Sequence, residues 1–158
     1  MSKAVLISIN PKWCAMIASG EKTVEVRKNR PQIKPPFKCY IYCTKHNNDK
    51  LSHWSGKVIG EFVCDRLDPL PYGQSYNQLN VCFWISAGAR LKAKELYDYA
   101  KGKTVCGWHI SDLKIYDTPK ELGEFAGNGS TFAFTDDGKK ILLSGMKRPP
   151  QSWCYVYD

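Results

Sequence analysis

The sequence predicts a mainly β domain with a few short helices (α+β), its strands forming a small β-barrel and its helices packing at the openings. Three observations carry this reading. Several short segments are β-branched and apolar, separated by Gly, Pro and Asn rather than by long helices. Only two stretches, near residues 11–20 and 90–100, have helical patterning. The 158 residues are 43% hydrophobic and 13% aromatic; a chain of this size buries about 68–70% of its unfolded surface, enough for one core without staples. A doubly wound α/β sheet fits less well. No internal repeat, low-complexity tract or linker is visible, so residues 1–158 read as one domain.

Lys3–Ile9 is apolar on both faces and fits a central strand. Asn10 then serves as an N-cap with Pro11 at the first helical position. A short helix carries Trp13, Met16 and Ile17, and Gly20 ends it. Residues 23–28 alternate: Val24 and Val26 point one way, Thr23, Glu25 and Arg27 the other. Arg30 to Pro36 holds three prolines and reads as a loop. Residues 37–44 form a strand with Cys39, Ile41 and Cys43 on one face and Tyr40 and Tyr42 on the other. His46 to Gly56 is loop-like. Residues 57–65 make a strand, with Gly60 as a bulge. Residues 66–80 are rich in Pro, Gly and Asn and read as irregular; 90–100 reads as a helix. Thr104 to Tyr116 is strand-like with a bend at Gly107, and Pro119 opens a helical turn. Gly127 to Gly138 reads as an exposed loop, and Ser152 to Tyr157 as a last strand.

The formal net charge is +8. Residues 1–60 hold 11 Lys and Arg against 3 acidic residues, whereas residues 61–158 hold 12 of each. The whole excess thus lies in the first two fifths of the chain. Clustered cations focus potential and release counterions from phosphates, which points to a polyanionic partner. Trp13, Phe37, Tyr40, Tyr42 and Trp54 interleave with these charges, a mixture suited to bases that stack on rings. A lysine-rich face kept only for solubility is the plainer alternative.

Aromatic content excludes disorder. No apolar run approaches the roughly 18 residues of a membrane span. Ala4 to Ile9 is too short for a secretory leader, and Asn10-Pro11-Lys12 interrupts it. The 7 cysteines are an odd number without paired spacing, so reduced thiols in a cytoplasmic protein are expected. Cys39, Cys43 and His46 have the spacing of a metal half-site, but no second pair follows and a shared buried face is simpler. No metal or other cofactor is expected. Cys14 lacks an activating base. His109 reads as a core histidine or a groove residue, and His46 and His53, in a polar loop, as solvated. Trp84, Trp108 and Trp153 read as core; Trp13 and Tyr42, with basic neighbours, are better groove candidates.

The segment from Ser8 to Arg30 bears the candidate chemistry. Its polar face would look into a groove beside the helix. Arg27 has the fork to hold a phosphate, and Glu25 can accept from a base amino group such as cytosine N4. A structural salt-bridge network of Glu25 with Lys22 or Arg27 is the alternative.

Ile7-Ser8-Ile9 with Pro11 and Trp13, followed by Gly20, Lys22, Glu25 and Arg27 in a G-x-K-x-x-E-x-R stretch, resembles the ASCH domain of the PUA-like superfamily. Gly56 to Glu61, His109-Ile110-Ser111 and Arg148 to Ser152 continue the resemblance over nearly the whole chain. It implies a PUA-like small β-barrel flanked by short helices, with a cleft lined by that motif that binds RNA or a modified nucleotide. Some ASCH proteins remove an acyl group from N4 of cytidine with a Lys, a Thr and a Glu, in a K-T-x-T-x-R motif. Lys22 matches that lysine, but Glu25 stands where the threonine would be. Thr23 lies roughly 6.5 Å away along the strand and cannot replace it without a shift. Others are described as ribonucleases; here Lys22 would stabilise a phosphorane and Glu25 act as base.

The expected function is therefore an RNA- or modified-nucleotide-binding module. Lys22, Arg27, Lys28 and Arg30 meet phosphate with Lys12 nearby, Glu25 contacts a base or orients Lys22, and Trp13 or Tyr42 stacks. An enzyme at the same cleft, with Lys22 and Glu25 as catalytic residues, is the alternative. A protein-interaction domain with an acidic partner is the third reading. A monomer with no membrane association is expected.

Overall fold

A computed structural model describes residues 2–45, 53–70 and 87–157, the side chain of Leu70 aside. Its eight strands are β1 (Lys3–Ile9), β2 (Val24–Arg27), β3 (Phe37–Cys43), β4 (Val58–Leu70), β5 (Val105–Lys120), β6 (Thr131–Phe134), β7 (Lys140–Ser144) and β8 (Trp153–Tyr157). Among the described residues the named helices are α1 (Pro11–Ala18) and α2 (Ala93–Ala100), with a 3-10 turn at Leu122–Glu124; residues 87–89 are also helical. His46, Cys82, Trp84 and residues 71–80 lie outside the described residues.

The six-stranded sheet has the order β2-β5-β4-β3-β1-β8, and β6 pairs with β7 alone. The mainly β class holds, but the expected barrel is not formed: the order does not close on itself among the described residues. At the β8 edge Ala126 bridges to Tyr157, whose N–H donates to the Ala126 carbonyl at 2.9 Å, so a non-strand segment covers that end.

The described residues fall into two compact units. One is drawn from Met1–Cys14, Lys38–Phe62 and Lys114–Asp158, the other from Ala15–Phe37 and Val63–Leu113. In the first, β1 lies between parallel β3 and antiparallel β8, with Ile7 opposite Ile41 and Trp153. Strands on both sides explain why Ala4, Val5, Leu6, Ile7 and Ile9 are all buried. Leu6, Tyr40, Tyr42, Val58, Phe125, Met146 and Val156 belong to its core. Gly60 is a point of close approach, where a Cβ would run into the carbonyl oxygen of Lys114. The core of the second unit is Val24, Val26, Ala89, Leu96 and Val105. This bears out the inward face read for residues 23–28.

Four elements depart from expectation. β4 continues through Arg66 and Asp68 to Leu70, although 66–70 read as irregular. β5 runs to Lys120, so Pro119 sits in a strand instead of opening a helical turn. A single proline costs a strand one donor, which pairing on either side outweighs. The second helix begins only at Ala93, because Arg90 is left-handed (φ 58°). Residues 127–138 enter a hairpin instead of forming one loop, with Gly127 and Gly129 before β6 and Gly138 in the turn. Gly138 (φ 79°) donates to the Thr135 carbonyl at 2.8 Å in the β6–β7 turn.

Candidate functional site

The first helix forms as its ends dictate. Asn10 Oδ1 accepts from the Lys12 N–H at 3.1 Å. Gly20 (φ 80°) closes the helix with its N–H on the Ile17 carbonyl at 3.0 Å. The chain then turns back, and the Lys22 N–H donates to the Met16 carbonyl at 2.9 Å. β2 follows at once, antiparallel to β5, with Glu25 opposite Trp108 and Arg27 opposite Cys106. Glu25 and Trp108 are therefore same-face neighbours. Trp108 is fully buried and meets Phe37 edge-on at 5.8 Å.

Lys22, Glu25 and Arg27 come together as a relay of ions. Lys22 is 3% exposed and Glu25 7%. Lys22 Nζ lies 3.2 Å from Glu25 Oε2, and an Arg27 terminal nitrogen lies 3.1 Å from Glu25 Oε1. Lys22 Nζ also donates to the Ala89 carbonyl at 2.8 Å. Burial pulls the Lys22 pKa below its ordinary 10.5; the Glu25 carboxylate opposes that shift, and the Arg27 charge adds to it. The relay is the ion-pair alternative read from the sequence. Lys22, expected at a phosphate, is instead buried and engaged by Glu25 and Ala89.

The loop before β2 is held by residues that no sequence pattern singles out. The Thr23 N–H donates to the Gly88 carbonyl at 2.8 Å, and Arg90 Nε donates to the Glu21 carbonyl at 2.7 Å. With the Lys22–Ala89 bond, residues 88–90 grip residues 21–23 at three points. Gly88 permits this approach, since a Cβ there would stand 2.7 Å from Val24 Cγ2. Carbonyl acceptors leave no side-chain signature. The glycine was the one available signal.

The other expected residues are placed as follows. Lys28 and Arg30 are exposed, and Lys28 lies over the Tyr99 ring at 4.9 Å. Lys12 lies over Trp13 at 4.5 Å on α1. Tyr42 is 3% exposed within the core of the first unit, and burial raises its pKa. Its ring is thus committed to packing rather than presented for stacking. Trp108 is core as read, whereas Trp153 is half-buried against Tyr155. His109 is half-buried, with Nε2 at 2.6 Å from Asp68 Oδ2. Cys39 and Cys43 are buried free thiols. Among the described residues no group of three or more His, Cys, Asp or Glu converges as metal ligands. None of their helices is long and apolar enough to cross a membrane.

No family model matches the sequence, and no curated protein matches it. Solved structures do. The crystal structure of ASCH from Zymomonas mobilis superposes with a TM-score of 0.58 at 22% identity, covering 75% of this chain and 73% of that one. A tyrosine-to-phenylalanine mutant of the same protein gives 0.58 at 22% identity, covering 77% of each chain. A serine-to-alanine mutant gives 0.57 at 23% identity, over 75% of this chain and 74% of that one. The chain has an ASCH-like fold. This accords with the resemblance read from Gly20, Lys22, Glu25 and Arg27. Those four residues run from the end of α1 through β2 of the ASCH-like fold.

Proposed function

We propose that the protein binds RNA or a modified nucleotide through the surface that follows β2. The observation that carries this reading is the run from the buried, doubly paired Glu25 to exposed cations at Lys28 and Arg30. A fixed ion network followed by exposed cations suits a ligand with a polyanionic backbone. The ASCH-like fold and the concentration of the net charge in residues 1–60 support it. In this reading Lys22 positions Glu25 and does not touch phosphate, while Arg27 links Glu25 to the exposed cations.

The test is retention of nucleosides, modified nucleosides and short RNAs by the purified protein, read by mass spectrometry, followed by titration at two salt concentrations. Bound RNA is expected to weaken steeply with salt, by about 0.7 log units per log unit of salt for each phosphate contact. Lys28→Ala should lower that slope. No retention of any species, or a salt-independent affinity, refutes the reading and favours an acidic protein partner.

One observation favours an enzyme at the same place. A buried lysine with a lowered pKa is a suitable proton acceptor, and the carboxylate beside it can hold that proton's charge. New products in the same mass-spectrometric experiment would establish that reading and identify the bond broken.

A further inference from the structure

A cavity of about 750 Å³ opens in the second unit between the loop Arg30–Pro35 and residues Asp65–Leu67 of β4. Arg30, Lys34 and Arg66 line it, against one carboxylate, Asp65. Arg30 and Lys34 are exposed and have no ion pair with another described residue. Arg66 is held from behind: its Nε lies 2.7 Å from Asp68 Oδ2, and a terminal nitrogen lies 3.2 Å from His109 Nε2. Asp68 Oδ2 also lies 2.6 Å from His109 Nε2, so one carboxylate oxygen sits at ion-pair distance from both side chains. The loop opposite is stiffened by Pro31, Pro35 and Pro36. It is anchored beyond them by Phe37 against Trp108. The Arg66 guanidinium is thus pre-placed against a stiffened loop, which lowers the ordering cost of binding.

We infer that this cavity binds the phosphomonoester of a nucleotide, free or at the end of an RNA, through Arg30, Lys34 and Arg66. Arg30, Lys34 and Arg66 outnumber Asp65 and the Asp68 that pairs with Arg66, and the guanidinium forks of Arg30 and Arg66 suit the several oxygens of a terminal phosphate. The volume lies in the range of small-ligand sites. Ile33 and Leu67, both half-buried in its lining, offer apolar surface to a sugar or base. Asp68 acts as a positioning residue for Arg66. The nucleoside part of the inference rests on the function proposed above; the phosphate part stands on the cavity alone.

The experiment is calorimetric titration of the full chain with inorganic phosphate, cytidine, cytidine 5′-monophosphate, and one short RNA with a 5′-phosphate or a 5′-hydroxyl. The monophosphate should bind at least roughly tenfold more tightly than cytidine. That discrimination should vanish in the double variant Arg30→Ala/Lys34→Ala and survive in Lys94→Ala, which removes an exposed cation from α2. Asp68→Asn should reduce it partially. Arg30 and Lys34 are exposed and make no ion pair with another described residue, which leaves little reason for misfolding; circular dichroism checks this. Equal binding of cytidine and its monophosphate, or discrimination that persists in the double variant, overturns the inference. RNA that binds both proteins alike, whatever its 5′ end, refutes the cavity and leaves the RNA reading standing. Phosphate and monophosphate binding without RNA binding does the reverse. A preference for the 5′-phosphorylated RNA places the site at an RNA end, whereas binding of the free nucleotide alone makes it a nucleotide site.

Discussion

Replacing Glu25 by Gln keeps the shape of the side chain and removes the charge that faces Lys22 and Arg27. Arg27 is 13% exposed and retains some access to water, but Lys22, at 3%, does not. Removing one partner of a buried ion pair typically costs about 3–5 kcal/mol, because the other charge is left uncompensated. Lys22 limits that cost by releasing its proton. Folding with a neutral lysine at pH 7 costs about 1.36 kcal/mol for each unit below 10.5, or about 4.8 kcal/mol. The ceiling falls as pH rises, to about 2 kcal/mol at pH 9. The sign follows from linkage. The folded pKa of Lys22 is lowered, so the unfolded chain binds more protons between that pKa and 10.5, and stability rises with pH across this window. Without Glu25 the window extends further down, so the variant gains more from alkali than the wild type. Urea denaturation at pH 7 and pH 9 should show a loss of about 3–4.8 kcal/mol at pH 7, with the midpoint shifted and the slope unchanged. The loss should shrink by as much as about 1.4 kcal/mol per pH unit. Lys22→Met, which removes the buried cation itself, should cost less and show no such trend between these pH values. A loss under about 0.5 kcal/mol at pH 7, the ordinary range for a surface substitution, would refute the buried relay. So would an equal loss at both pH values.

Other substitutions and probes test the surroundings. Gly88→Ala should destabilise by about 1–3 kcal/mol, as its Cβ would press on Val24 Cγ2 and lever residues 88–90 off the loop; hydrogen exchange at the Thr23 amide should rise with it. Gly145→Ala puts a Cβ into the Gly123 carbonyl and should cost about 2 kcal/mol or more in thermal denaturation, since both partners are backbone. Burial pushes the Cys64 thiol up to about 12 and the Cys106 and Cys154 thiols to about 11. Native protein at pH 8 should therefore leave these three unmodified by a thiol reagent that labels them in urea. If turnover is found, its rate should increase with pH through the lowered pKa of Lys22, and Lys22→Met should abolish both the activity and the pH dependence.

How much of this was legible depended on where the information lies along the chain. β1, α1 and β2 were readable because each is set by local rules: apolar residues in sequence, an Asn-Pro start, a glycine stop, a two-residue alternation. Lys22, Glu25 and Arg27 belong to that stretch, so their proximity followed from the alternation and the turn. Their burial did not. It depends on Trp108 across the strand and on residues 88–90, and no local pattern links those to residue 25. The same limit explains β4 and β5. Pro69 and Pro119 are breakers by local rules, yet pairing along long strands carries the chain past both. Open or closed is a property of the sheet's two edge strands, which sequence periodicity does not address.

The placement of Glu25 also narrows what the site can do. Both oxygens face a cation, Oε2 Lys22 and Oε1 Arg27, although the buried Oε2 accepts no hydrogen bond from a described residue. A carboxylate has about four lone-pair positions, so a ligand amino group can still be accepted, but only from the direction the two cations leave open. Direct recognition of a base by Glu25 would therefore be a directional contact in a dry setting, where a mismatched donor leaves a buried carboxylate position unfilled. Acid–base chemistry makes a different demand. A proton must move between Lys22 and a substrate, so the ion pair must open during each cycle, and the Ala89 carbonyl would have to hold the neutral amine meanwhile. Binding alone needs the network to stay fixed. The relay is tied to the backbone at Met16, Gly88 and Ala89 and backed by a fully buried tryptophan. That construction favours a fixed carboxylate over a mobile one, and with it recognition over turnover.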